Sequence, residues 1–234
     1  YFELATAAAF LHFKRTADIA VVEVGMGGRL DATTVLKRPL LSVVTSISFD
    51  HQQWLGDSLG AIAAEKAGIL KAGSPFLCAE DGAEALAILR ARACEIGAPM
   101  VLARPEFLTT SEDWRNGRQR AHLAGLGEVE IGLLGAHAAR AAALAVRARD
   151  LLQDEGVEIS DAALRQGFSD VHWPGRFQVV ADSGRSIVLD GAHNVAAFSA
   201  FVETWKRSPF SKQAPTLLYG VLSDKDHAEM ARTL

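Results

Sequence analysis

Ile19-Ala-Val-Val-Glu23-Val-Gly-Met-Gly-Gly-Arg29-Leu-Asp31 is the stretch on which the fold turns. A continuous apolar run leads into a glycine-rich turn, followed by an arginine and an aspartate. Runs of this kind mark parallel strands covered on both faces, so residues 19–24 are expected to form a strand. Glu23 would then stand at the strand's C-terminal end, the edge at which open α/β sheets bind ligands. Working outward, residues 40–47, 75–79 and 99–103 predict further strands. Apolar spacing predicts helices over residues 1–14, 58–67 and 82–96. Strands alternating with helices point to a parallel α/β sheet.

The second half departs from that rhythm. Two short alternating segments around Gly125-Leu-Gly127, within residues 119–134, predict a β-hairpin. An alanine-rich helix is expected over residues 136–154, with Ser160 capping another that runs to Gly167. Trp173-Pro174-Gly175 breaks regular structure and is the expected interdomain hinge. Beyond it come strands over residues 177–181 and 186–190, a helix over 195–205 and a strand over 216–222. Residues 1–172 and 173–234 are thus expected as separate domains, the second a smaller α/β unit. Tyr1 and Leu234 both read as cut ends, the mark of a fragment.

A chain of 234 residues that is 49% hydrophobic can bury a substantial core. Its net charge of −4, with basic residues scattered, argues against an electrostatic nucleic-acid binder. Cys78 and Cys94 lack CxxC spacing and read as buried thiols in a reducing compartment. No basic leader opens the chain, and no apolar run reaches the ~18 residues of a membrane span. A cytoplasmic protein without membrane partners is expected.

Several side chains could carry chemistry. Glu23 offers hard oxygen ligands suited to Mg²⁺, or else a cap or an ion pair. His51, after Asp50 at the end of the second apolar strand, could ligate a cation or simply hydrogen-bond. Lys66, in Ala-Ala-Glu-Lys-Ala-Gly, could lose its proton on desolvation and take up CO₂ as a carbamate, or pair with Glu65 or another acid. The glycines at 25, 27 and 28 match neither a dinucleotide fingerprint nor a phosphate loop; they read as a turn placing Arg29 and Asp31 at a pocket. In the second domain, Arg176 could neutralise phosphate oxygens and Asp190 could bind ribose or orient His193. The alternative there is an Asx turn with a structural arginine.

Taken in order, these segments resemble the folylpolyglutamate synthase and dihydrofolate synthase family of the Mur-ligase superfamily. The matching motifs include Glu23-Val-Gly-Met-Gly-Gly-Arg-Leu-Asp-Ala-Thr33, Asp50-His51 with Leu55-Gly-Asp57, and Glu65-Lys-Ala-Gly-Ile-Leu-Lys71. Pro174-Gly-Arg176, Leu189-Asp-Gly-Ala-His-Asn194 and Leu222-Ser-Asp-Lys-Asp226 complete them. The resemblance implies a parallel-sheet central ATPase-type domain with a hairpin insert, then a C-terminal ligase domain. It implies that Glu23 and His51 bind Mg²⁺ and that a carbamylated Lys66 helps hold a second cation. Arg29 and Asp31 would lie at the pterin substrate. Arg176, Asp190 and His193 would close over ATP and the incoming amino acid.

The implied reaction activates a pteroate or folate carboxylate with ATP as an acyl phosphate, which the amine of L-glutamate attacks. The family resemblance also suggests a monomer. Two departures are visible. The family's phosphate loop ending in Lys-Ser lies upstream of the segment that begins here at Tyr1, so the chain as given is expected to be inactive. Ala138 and Arg140 stand where the family carries Gln and an adenine-contacting Asn. A folate-binding module without catalysis and another Mur-type ligase are the competing readings.

Overall fold

The computed structural model describes residues 1–223 and 225–233. Asp224, within the Leu222–Asp226 motif, and Leu234 lie outside the described residues. The chain forms two compact units, Tyr1–Leu102 and Ala103–Leu234.

The first unit opens with α1 (Phe2–Thr16) and continues through β1 (Ser42–Val44), α2 (Gln52–Leu55) and α3 (Leu59–Lys66). It ends with β2 (Phe76–Cys78), α4 (Ala83–Ile96) and β3 (Met100–Leu102). The three strands form a parallel sheet in the order β1-β2-β3, with Ser42, Phe76 and Met100 in register. Central β2 is buried along its whole length, as a strand covered on both faces must be. Phe76 packs with Ile62 and Ala63 of α3 and Leu89 of α4, all at most 1% exposed. Ser58 starts α3 by accepting a hydrogen bond from Ala61 N–H, a cap worth about 1 kcal/mol. Gly97 ends α4 in the left-handed conformation (φ 69°).

The apolar run at 19–24 is not a strand. A strand exists through its ladder, and β1 pairs only with β2 among the described residues. The run is therefore irregular and unpaired among the described residues, with Val21 97% exposed. Helix α1 forms as its spacing predicts, yet none of its residues is buried.

The second unit contains β4 (Phe107–Asp113), β5 (Arg118–Leu123), β6 (Gly127–Ile131), α5 (Ala136–Asp154) and α6 (Asp161–Asp170). It continues with β7 (Gln178–Asp182), β8 (Arg185–Leu189), α7 (Val195–Arg207) and α8 (His227–Arg232). The expected hairpin is present as β5 and β6, and β4 adds a third antiparallel strand on β5. Small residues let α5 lie close to this sheet: Ala138, Ala139, Ala142 and Ala143 share a core with Ala121, Leu123 and Val129. Ser160 caps α6 through Ala163 N–H, and the helix runs past Gly167 to Asp170.

Strands β7 and β8 pair with each other antiparallel, because the two residues Ser183-Gly184 are too short for a parallel crossover. Residues 216–222 form no strand; they have no partner to pair with among the described residues, and Leu218 is 98% exposed. Within this unit the Trp173-Pro174-Gly175 turn does not sever packing. Phe177 stacks edge-on against Trp114 at 5.8 Å, and Arg207 pairs with Glu112. Cys78 is buried, but Cys94 is exposed, since it lies on the outer side of α4; both are free thiols. No described helix is long and apolar enough to cross a membrane.

Candidate functional site

In the first unit three sequence-distant segments meet at one glycine turn. A methyl group on Gly27 (φ 67°) would come within 2.9 Å of Leu55, on the short helix that follows His51, and would also touch Glu65. One on Gly28 would lie 2.8 Å from the Glu65 carbonyl and 3.1 Å from that of Lys66. A methyl on Gly68 would collide with the Arg29 backbone. The glycines are thus required for close backbone approach. The turn after Glu23, the helix after His51 and the end of the helix bearing Lys66 are packed against each other through it.

Asp31 holds this turn closed. Its Oδ2 accepts from Gly25 and Met26 N–H at 3.1 Å each, and its Oδ1 from Thr33 N–H at 2.9 Å and Thr33 Oγ1–H at 2.6 Å. Burial pulls the carboxyl pKa upward, but the hydrogen bonds from Thr33, Met26 and Gly25 outweigh it, and the net shift is downward. Both oxygens are therefore committed to the chain's own amides. Arg29 is committed as well, donating from Nε and Nη2 to Glu65 Oε1.

That pairing decides the alternative for Lys66. Glu65 faces Arg29, and the half-buried Lys66 amine forms no hydrogen bond or ion pair with any described residue. The exposed Glu23 carboxylate is equally unengaged. His51 adopts φ 50°, ψ 34°, a strained conformation for a non-glycine residue and one that clusters at functional sites. Its ring Nε2 lies 3.9 Å from Asp50, beyond hydrogen-bond reach. No hydrogen bond or ion pair joins Glu23, His51 and Lys66. Among the described residues, no three His, Cys, Asp or Glu side chains gather for a metal ion. Of the three, the Glu23 carboxylate and the His51 imidazole are of a chemical type that can ligate a divalent cation, whereas the Lys66 amine could do so only after conversion to an anion.

In the second unit Asp190 plays the part that Asp31 plays in the first. Its Oδ2 accepts from Phe177 N–H and its Oδ1 from Ala192 N–H, both at 2.8 Å. Gly191 N–H reaches the Gly175 carbonyl at 2.8 Å, and the Arg176 guanidinium lies over Gly191. The two turns, Pro174–Phe177 and Asp190–Asn194, are thus clamped together, with buried Phe177 strained at φ 41°. The Asx turn expected as an alternative is present. His193 turns its Nδ1 toward the Gly191 carbonyl at 2.9 Å and is otherwise exposed.

His137, at the start of α5, was not singled out from sequence. The residue is exposed as a whole, yet desolvation by the surrounding protein pushes its pKa below the usual histidine range. Asp190 and Glu203 oppose that shift, and Arg176 adds to it. The α5 N-terminus and the Arg176–Asp190 clamp therefore feel each other's charge. Glu80 was missed as well, and Glu65 was weighed only as a partner for Lys66, not for Arg29. Glu80, buried at the end of β2, was legible only as one more acid after a short strand.

Comparison with known proteins follows the same order of segments. Residues 175–234 match the Mur ligase, glutamate ligase domain. Over its whole length the chain is 35% identical to the dihydrofolate synthase/folylpolyglutamate synthase of Bacillus subtilis and covers 55% of that protein. It resembles a solved FPGS–AMPPCP–folate complex with a TM-score of 0.87 at 33% identity, covering 98% of this chain and 57% of that one. The Escherichia coli FolC complex with DHPP and ADP gives a TM-score of 0.80 at 32% identity, covering 100% of this chain and 54% of that one. The chain thus spans about half the length of these relatives.

Proposed function

The chain is a homologue of the folylpolyglutamate and dihydrofolate synthases, and on that premise we propose that it forms the core of an ATP-dependent amide ligase. Such a ligase would join L-glutamate to dihydropteroate, tetrahydrofolate or both through an acyl phosphate. The observation that carries this reading is the packing of the segments bearing Glu23, His51 and Lys66 on the Gly27-Gly28 turn. The close approach of these segments supports the reading, because each carries one of the three groups expected to bind a cation.

In this reading Glu23 and His51 hold Mg²⁺, which when bound would stabilise charge on the transferring phosphoryl group. The unpaired Lys66 amine is free to become a carbamate, whose anionic oxygens would add to the ligand set. Asp31 keeps the glycine turn closed, and Arg29 lines its pterin side. Arg176 and His193 project from the clamp made by Asp190, where they would meet the nucleotide and the incoming amino acid. Supporting a boundary at the Trp173 turn, the glutamate ligase match begins at residue 175. Motion there would close the site and keep water from the acyl phosphate. A cytoplasmic monomer acting on small molecules completes the proposal.

The test is ADP release by the protein as its gene encodes it. Release that requires pteroate or folate together with glutamate is expected. Folate binding without any nucleotide turnover would favour a binding module, and turnover with a different acyl acceptor would favour another Mur-type ligase.

A further inference from the structure

Glu80 follows β2, and only 6% of its surface is exposed. Its Oε2 accepts from Ile47 N–H at 2.5 Å and its Oε1 from Gly82 N–H at 2.6 Å. No cation forms an ion pair with it among the described residues. A carboxylate kept dry without a cation is costly, and packing alone does not call for one. What the charge supplies is a pair of short, charge-assisted bonds between segments that leave two different strands.

One of those segments leads from β1 to His51. Ile47 is itself buried in the core, and beyond it the chain passes Phe49 and Asp50 to the strained His51. The His51 carbonyl then accepts from Trp54 and Leu55 N–H, and Leu55 lies against Gly27. The stretch is therefore fastened at both ends, by Glu80 before His51 and by the glycine turn after it. We propose that Glu80 is a positioning residue, whose buried carboxylate ties Ile47 to Gly82 and so holds the His51 imidazole where it can ligate a divalent cation. This rests on the reading of His51 as a ligand. Glu80 itself touches neither metal nor substrate.

Two variants perturb the tie independently. Glu80→Gln keeps the shape but turns an N–H₂ group toward one of the two amide donors. Gly82→Ala keeps the charge; Gly82 has φ −65°, which alanine accepts, but its new methyl would lie 2.7 Å from Glu80 Oε1 and displace the carboxylate. Titrating Mn²⁺ into the 234-residue chain while following histidine ring resonances reads ligation by His51. Amide hydrogen exchange over residues 45–51 reads the tie.

In the unsubstituted chain Mn²⁺ is expected to broaden the His51 resonances. Both variants are expected to speed exchange at Ile47 and to raise the Mn²⁺ concentration needed for broadening about ten-fold, the usual effect of losing an outer support of a metal ligand. Unchanged exchange in both variants would overturn the tie. Faster exchange with unchanged Mn²⁺ dependence would overturn the positioning role. Absence of Mn²⁺ broadening in the unsubstituted chain would instead sink the ligand reading of His51, and exchange would still report whether the tie exists. Should Glu80→Gln not fold, Gly82→Ala decides.

Discussion

Arg29 reaches 36 residues along the sequence to place its Nε and Nη2 on one oxygen of Glu65, at 3.0 and 2.8 Å, while its own amide donates to the Glu65 carbonyl at 2.8 Å. Side chain and backbone thus bind the same residue, and the neighbouring lysine is left without an anion among the described residues.

Arg29→Ala should release Glu65 toward Lys66. Because the Arg29 side chain is 58% exposed, the stability lost should be modest, about 1 kcal/mol or less by urea denaturation. The sharper expectation is chemical: Lys66, newly paired, should react more slowly with an amine-directed acylating reagent at neutral pH. An unchanged labelling rate would mean that Glu65 does not turn to it.

Gly68→Ala and Gly167→Ala should move stability in opposite directions. A methyl at Gly68 meets the Arg29 backbone, which cannot yield without opening the turn, so about 2 kcal/mol or more should be lost. Gly167 sits inside α6 with nothing within 4 Å of an added methyl, and alanine there should stabilise by about 0.5–1 kcal/mol. Urea midpoints for the two variants measure both.

Asp31 should impose an acid limb on stability. Its folded pKa lies below the ordinary aspartate value, so its contribution is complete above the unfolded value near ~3.9. It is lost as pH falls through the depressed folded value. The stability gap between the unsubstituted chain and Asp31→Asn should therefore be flat from neutral pH down to about pH 5 and narrow below about pH 4. A gap that widens on acidification would contradict the hydrogen-bond geometry.

Asp190→Ala should free the amides of Phe177 and Ala192 at once. Loss of two bonds to a partly exposed carboxylate should cost about 2 kcal/mol. In the ligase reading it should also weaken nucleotide binding, since Arg176 is carried on the turn that Asp190 clamps. ADP titration by calorimetry, alongside urea denaturation, separates the two effects.

Much of this was legible in advance. Residues 136–154 form the expected helix because alanine spacing and length agree, and the three short strands of the parallel sheet fall within their apolar runs. The run at 19–24 fails because apolarity specifies a covered strand but not its ladder partner. Strand β4 went unseen since Phe107–Asp113 carries polar Thr, Ser, Glu and Asp with a bulge between Thr109 and Ser111, which blurs the alternation. At the site, residue types pointed to Glu23, His51, Lys66 and Asp190. Their division of labour did not show, because whether a carboxylate faces an amide, a cation or open solvent depends on contacts between residues far apart in sequence. Asp31 and Asp190 face amides, Glu65 a guanidinium, and Glu23 open solvent.

The seating of Gly28 and Gly68 against the opposing backbone bears on how a saturation-mutagenesis map of this protein would look. Both positions should score as intolerant of every side chain, as deeply as residues that meet substrate, though neither glycine carries a group able to react. Intolerance at these two positions would measure clearance, and a map read by depletion alone would mistake a seam for a catalyst.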